Sequence, residues 1–442
     1  MPRLLPLAAL ALVLLLAATA CETDEADEAT DVADDEPTAE PEPGPEPPED
    51  ADAEPDAEAD EDAVADVVAT IAGQLEDLRG LEVREEISTS VVDQAELADI
   101  AVDDERDAED EEAREASRDL LVALRFLPPD VDLDEVTEEL VEGGVAGLYD
   151  PEEGEAYISS EEWPLGPAAQ VTTAHEIVHA LQDQAFDLTR LSELDEESPD
   201  AAMAFRSIVE GDAVRTQEQW ASQHLTEEER AARAEEEQAA AMEAQQALAG
   251  LPPYVVFEQL IPYELGERFL RETLDAEGGD AGAAVDALLE DPPATTVELY
   301  DPALHRNGFE PEDVEPPASP GDGWDPLDRF GFGAYLVNAY FFLGESLAEG
   351  AAATSLWRGG ELEAWRGPDG VAVGATVRFA DDGADRFCAV VPSLHTGDAG
   401  AEEVADGRYE TDRDALAVDC DANEVRFATA PTLDDAEVML GG

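Results

Sequence analysis

The sequence predicts an α+β protein: a mostly helical core with short edge strands, then a smaller C-terminal α+β domain. Three observations lead there. Between residues 63 and 274, apolar residues recur at the three- and four-residue spacing of helices. Strand-like runs in that stretch are few and short, the clearest being the turn-bearing segment 144–159. Beyond residue 330 the pattern changes to alternating, β-branched runs between short helices. The expected limits are a signal segment at 1–20, an acidic tether at 21–62, a main domain at 63–328 and a C-terminal domain at 329–442. No internal repeat is present.

The N-terminus reads MPRLLPLAALALVLLLAATAC. Arg3 supplies a short positive region, an apolar stretch from Leu4 to Leu16 is interrupted only by Pro6, and small residues precede Cys21. This order resembles a bacterial lipoprotein signal. The resemblance implies cleavage before Cys21, a diacylglyceryl group on its sulfur, and a chain held at the outer face of the cell membrane. The segment that follows, to residue 62, is dominated by Asp, Glu and Pro and has no basic residue. Such a stretch buries no core and repels itself into an extended tether.

The folded part begins with helical spacing over Ala63 to Arg79 (Val64, Val67, Val68, Ile71, Leu75, Leu78), ended by Gly80. EVREEISTSVV (82–92) reads as a strand. A charged helix is expected over 106–127, stopped by Pro128-Pro129, and a shorter one over 134–142. GVAGLYDPEEGEAYIS (144–159) reads as a hairpin around a DPEEG turn, with Asp, Pro and Gly where turn geometry wants them. Gly166-Pro167 opens a helix running to about Phe186, and Pro199 to His224 is a second. Thr226 to Ala249, rich in Glu, Ala and Gln, is a solvated helix, and Val255 to Leu274 an apolar one after Pro252-Pro253.

Residues 312–328 read as a Pro/Gly/Asp loop. A helix over 333–347, strands at 361–366 and 371–379, a short helix near Cys388, a strand at 424–429 and a last helix from Thr432 complete the chain. Only three cysteines occur. With Cys21 acylated, Cys388 and Cys420 remain as an even pair in an oxidising compartment, where a disulfide between them is expected.

The formal charge is −88, from 111 acids against 23 basic residues, every one of which is Arg. This excludes a nucleic-acid binder working through a basic surface, and electrostatic docking onto anionic lipid. The acids are spread along the whole chain and Lys is absent, which favours adaptation to high salt over a local cation sponge.

One motif carries chemistry. His175-Glu176-Ile177-Val178-His179 is an HExxH sequence inside a run that reads as helix. Positions i and i+4 fall on one helical face, so two imidazoles can reach one metal ion, with Glu176 beside them as a general base. With five His in 442 residues, chance would produce the motif in roughly one such chain in a hundred. A catalytic zinc needs a third protein ligand and an open fourth position. No His follows before residue 224, and position 185 is Ala, so the three-histidine HExxHxxGxxH pattern is excluded.

Glu210 is the expected third ligand, because it is set among Ile208, Val209 and Gly211, and a carboxylate on an apolar face wants a cation. Gly211 would let its helix approach the HExxH helix closely. His224 is the alternative ligand. Asp183, four residues after His179, is placed to orient an imidazole or a neighbouring helix. Asp212 is turned away from Glu210 and less well placed.

HEIVHALQDQAFDL, followed by IVEGDA, is similar to gluzincin-like zinc metallopeptidases found as bacterial exported or lipid-anchored proteins. LRGLEV (78–83), LPPDVDL (127–133), AGLYDPEEGEAYIS (146–159) and IPYELGERF (261–269) resemble segments of that family in the same order. The resemblance covers about 63–305, and the C-terminal region loosely. It implies a zincin-like fold, Zn2+ held by His175, His179 and Glu210, and Glu176 as general base. Where the family often carries His-Pro after its Pro-Pro, this chain has Asp301-Pro302, and His305 is no evident substitute. The expected activity is hydrolysis of a peptide or protein substrate. Tyr263 and Tyr149 are candidates to stabilise the developing oxyanion, and the strand in 144–159 could hold an extended peptide. The alternatives are a non-catalytic zinc-binding lipoprotein scaffold and a metal-dependent amidase acting on cell-wall peptide.

Overall fold

The computed structural model describes residues 10–13, 61–108, 111–160, 163–344, 346–397 and 400–441. Cys21 and nearly all of the expected signal segment and tether lie outside the described residues. The chain is α+β, mostly helical, with one four-stranded and one seven-stranded sheet. No helix among the described residues is long and apolar enough to cross a membrane.

The smaller sheet has the order β1-β3-β4-β2, with β1 at Leu10–Val13, β2 at Ser88–Val92, β3 at Val145–Asp150 and β4 at Glu155–Ser159. β3 and β4 form the antiparallel hairpin, β2 runs parallel to β4, and β1 lies antiparallel to β3 with Leu10 opposite Tyr149. The strand expected over 82–92 is confined to its second half. Upstream, the backbone N–H groups of Arg84 and Glu85 donate to the Gln184 side chain rather than to a neighbouring strand.

Helix α1 (Glu61–Arg79) packs on this layer. Two helices, α2 (Gln94–Ala108) and α3 (Glu111–Ala123), occupy the region where one was expected from 106 onwards. Asp93 starts α2 by accepting from the Glu96 N–H at 2.9 Å. α4 (Leu133–Gly144) begins at Asp132, whose carboxylate accepts from the N–H groups of Asp134 and Glu135.

The site-bearing helices follow. α5 (Pro167–Phe186) starts with Gly166 at its cap and Pro167 in its first turn, and ends where Asp187 turns left-handed at φ 61°. After α6 (Arg190–Glu197), α7 (Pro199–His224) starts with Pro199 and a Ser198 side chain that accepts from the Ala201 N–H. α8 (Glu227–Leu248) opens with a reciprocal Thr226–Glu229 capping box and stays largely solvated. α9 (Pro253–Glu277), α10 (Ala281–Glu290), α11 (Val297–Tyr300) and α12 (Pro302–Arg306) complete the helical part.

Gly211 does serve a close helix approach, but toward α9 rather than α5. A Cβ on Gly211 would lie 2.5 Å from the Gly266 carbonyl carbon, and one on Gly266 would lie 1.8 Å from the Ser207 carbonyl oxygen. The two backbones touch, and this contact carries Tyr263 of α9 toward Glu210 of α7.

The larger sheet has the order β5-β6-β7-β11-β10-β9-β8, all antiparallel. Its strands are β5 (Asp325–Gly331), β6 (Trp357–Gly367), β7 (Gly370–Phe379), β8 (Glu402–Ala405), β9 (Arg408–Glu410), β10 (Ala415–Cys420) and β11 (Glu424–Ala430). Helices α13 (Ala334–Leu343), α14 (Leu347–Thr354), α15 (Gly383–Val390), α16 (Ser393–Thr396) and α17 (Leu433–Met439) surround it. A disulfide joins Cys388 to Cys420 across a sequence separation of 32. Closing such a loop is worth about 3–4 kcal/mol in chain entropy.

The expected limit at 328/329 falls inside β5, and the main apolar core crosses it. That core runs from Leu120 on α3 through α7, α9 and α13 to Phe427 on β11. Phe126, for example, stacks on Tyr254 at 4.5 Å and meets Tyr340 edge-on at 5.1 Å. A second cluster, formed by α1, α5, the end of α7 and the small sheet, encloses the HExxH helix.

Candidate metal centre

His175 and His179 stand one turn apart on α5, within a stretch from Val171 to Gln182 that is buried on every face. Their Nε2 atoms are 3.0 Å apart. Glu210, projecting from α7, places Oε2 at 3.3 Å from the Nε2 of His175 and 3.4 Å from that of His179. All three side chains are fully buried, and their ligand atoms lie within 4.8 Å of one another. This group can bind a metal ion.

The outer nitrogens fix the tautomers. The Gln182 amide nitrogen donates to the Val209 carbonyl at 3.1 Å and to Asp212 at 3.0 Å, which turns its oxygen toward the Nδ1 of His179 at 2.9 Å. That Nδ1 therefore carries the hydrogen. The Nδ1 of His175 likewise donates to the Gln217 amide oxygen at 2.6 Å. Both Nε2 atoms are left as lone-pair donors converging with a carboxylate oxygen. Three such groups packed at this distance repel unless a cation lies among them.

The electrostatics agree. Burial and the neighbouring His179 push the His175 pKa down, toward the neutral ring a metal requires. Burial alone would raise Glu210, but without a metal ion positive charge and hydrogen bonds from the two imidazoles outweigh it and hold the carboxyl at about 2, the part that a cation plays when both Nε2 atoms turn lone pairs to the centre. Burial and the Glu210 charge push Glu176 well above the ordinary carboxylate range.

Glu176 is the other chemical group of the centre. It is fully buried, and neither of its carboxylate oxygens has a hydrogen-bond partner. It faces β3: a Cβ added to Gly147 would lie 2.7 Å from Glu176 Oε1. Only a glycine there lets the strand backbone pass over the carboxylate.

Sequence reading missed the residues that orient the imidazoles. Gln182 and Gln217 do this directly, and Asp212 stands behind Gln182, although the spacing had turned it away from the site. Asp212 is fully buried and paired with Arg79 of α1, whose Nε lies 2.8 and 3.0 Å from its two oxygens. Gln182 sits three residues from His179 on the same face, a spacing that could have flagged it. Asp183 orients neither imidazole. Its oxygens accept from the Tyr149 hydroxyl at 2.8 Å and the Leu188 N–H at 2.8 Å, tying the end of α5 to β3.

That bond also occupies Tyr149 away from the centre. Tyr263 is closer, with its ring centroid 6.3 Å from that of His175. Burial and the Glu210 and Glu176 carboxylates push its pKa well up, so it stays protonated. His224 stacks on Trp220 at 5.8 Å and is exposed, and His305 pairs with Glu298 at 3.0 Å; neither reaches the centre. Comparison with known proteins finds no matching family model, no matching curated protein and no matching solved structure.

Proposed function

We propose that this chain is a lipid-anchored, extracytoplasmic zinc metallopeptidase of the gluzincin-like type, in which Glu176 is the general base. The observation that carries the reading is the Glu176 carboxylate, buried and unpartnered beside a three-donor centre and facing a strand. Burying an unpaired carboxylate costs free energy. A metal site that only stabilised a scaffold would have no use for it.

The donors fit the ion. Two imidazoles and one carboxylate are a catalytic zinc set that leaves a fourth position open. Ligand atoms at about 2.0–2.2 Å from a tetrahedral ion lie about 3.3–3.6 Å apart, and the separations here are 3.0 to 3.4 Å. Zinc, when bound, polarises the scissile carbonyl and acidifies water.

The chain's own residues supply the rest. Glu176 accepts a proton from the attacking water and delivers it to the leaving amine. Tyr263, held protonated, donates to the oxygen on which negative charge develops. β3 aligns the substrate. Its outer edge is covered by the apolar segment Leu10–Val13, which pairs with it as an extended strand. Removal of residues 1–20 frees that edge for the backbone of a peptide.

The test is cleavage of a broad peptide library in molar salt by the zinc-loaded protein, with Glu176→Gln as control. Cleavage by the wild type and none by the variant supports the reading. Zinc retention without cleavage of any library peptide favours a scaffold, and cleavage confined to cell-wall peptide favours an amidase.

A further inference from the structure

We infer that Arg79, at the end of α1, is a positioning residue for the metal ligand His179, so that the N-terminal helix sets the affinity and ligand geometry of the metal centre. This rests on reading His175, His179 and Glu210 as metal ligands.

The chain of contacts is short and buried throughout. His179 donates to the Gln182 amide oxygen at 2.9 Å, and the Gln182 amide nitrogen donates to Asp212 at 3.0 Å. Asp212 accepts from Arg79 Nε at 2.8 Å. Gln182 and Asp212 are fully buried and Arg79 nearly so. An amide has two ends of similar size, and only its partners decide which faces the imidazole. Asp212 and the Val209 carbonyl together hold the nitrogen end, so oxygen faces His179 and the lone pair of Nε2 points into the centre; Asp212 is the side chain of the two, and its own position depends on Arg79.

Among the described residues Arg79 is the one guanidinium within hydrogen-bond reach of Asp212. The next guanidinium, on Arg215, is 4.0 Å away. Arg79 also bonds Asp286 of α10 at 2.7 Å, so one guanidinium braces α7 and α10 against α1. Glu210 lies two residues from Asp212 on α7, and the same brace fixes the rotation of that helix. His175 is held separately by Gln217. Loss of Arg79 therefore acts most directly on the His179 side of the centre, through Asp212 and Gln182.

A lysine cannot replace this contact. Its single ammonium group lacks the planar fork that spans one carboxylate and reaches a second. Arg79→Lys keeps the charge and loses the brace.

The experiment uses the full chain in molar salt, stripped of metal, with zinc titrated against a competing chelator. Cobalt is titrated in parallel, because its absorption spectrum reports ligand geometry. Wild type is expected to bind both. Arg79→Lys and Arg79→Ala should bind zinc roughly 10–100-fold more weakly, as loss of an outer partner of a metal ligand does, and should show altered cobalt spectra. Asp286→Asn removes only the outer end of the brace and should bind as wild type does. Unfolding of the metal-free proteins in urea separates a folding defect from a metal defect. If Arg79→Ala does not fold, the isosteric Asp212→Asn replaces it, with the same expected weakening. Arg79 variants that keep wild-type zinc affinity and the wild-type cobalt spectrum overturn the inference, even if they unfold more easily. A wild type that takes up neither metal overturns the metal reading itself and this inference with it.

Discussion

Three fully or nearly fully buried carboxylates sit in three different surroundings. Glu210 is held ionised by two imidazoles. Asp200 accepts from the N–H and hydroxyl of Thr296, whose hydroxyl oxygen in turn accepts from the Tyr335 N–H. Glu176 has neither, and burial with the Glu210 charge pushes its pKa well above the ordinary carboxylate range. The expected consequences differ accordingly. Glu176→Gln should retain zinc and lower hydrolysis about 10²–10⁴-fold, measured as kcat/KM on a cleaved peptide; loss of metal instead would remove its role as base. Glu210→Ala should release the metal while His224→Ala keeps it, measured by elemental analysis after dialysis.

Asp200 gives a pH signature. Burial pushes its pKa from 3.8 up to about 6, with the hydrogen bonds from Thr296 and the nearby backbone N–H groups of Tyr335 and Ala334 limiting the rise. A carboxyl raised in the folded state favours folding below its unfolded value. That contribution fades as pH rises from about 4 through about 6. The urea midpoint of the wild type minus that of Asp200→Ala should therefore shrink over this interval in molar salt. A difference that stays flat or grows would show that Asp200 is not held protonated.

At this scale the sequence made the ligands legible, because helical periodicity places His175 and His179 together and an acid among Ile208, Val209 and Gly211 is conspicuous. The orienting residues were not. Gln182, Gln217 and Asp212 matter only through the crossing of α5, α7 and α1, and a crossing leaves no spacing in any one segment.

Elements are placed by backbone contacts as much as by apolar faces. The Gly211–Gly266 approach sets how α9 lies on α7, and with it where Tyr263 stands. Gly266→Ala would drive a methyl group into the Ser207 carbonyl oxygen, which belongs to a helix and cannot move aside. We expect a loss of about 1–3 kcal/mol in stability, the usual range for overpacking, together with a larger drop in kcat than the drop in zinc affinity. Wild-type stability in Gly266→Ala would mean that the two helices are not in contact there.

Helices bounded by Pro, Gly and Ser, such as α5 and α7, could be read from their ends as well as their periodicity. α2 was hidden because acids fill its second half and dilute the apolar spacing of Leu97, Ala98 and Ala101. The edge strand β8 and its neighbour β9 were hidden because they are short and, in β8, exposed at every position. β10 was missed although it is a buried apolar run, ALAVDC, of the kind that helix and strand share.

For the molecule as a whole, charge and core pull in opposite directions. A net charge of −88 repels itself in a compact state, and the repulsion fades only when the Debye length falls to about 3 Å near 1 M salt. The melting temperature should therefore rise between low and molar salt. A flat or falling trend would remove the reading of salt adaptation. Composition alone carries this expectation. The continuous core from α3 to β11 was not, since the change of pattern near residue 330 marks where the sheet begins and not where packing stops.

The most direct measurement is zinc content per chain, in molar salt after exhaustive dialysis, for the wild type and for His175→Ala, His179→Ala, Glu210→Ala and Glu176→Gln. One tightly held zinc in the wild type and in Glu176→Gln, with none in the three ligand variants, is the expected result. A wild type without metal, or a ligand variant that holds zinc at full occupancy, would contradict the assignment of the centre.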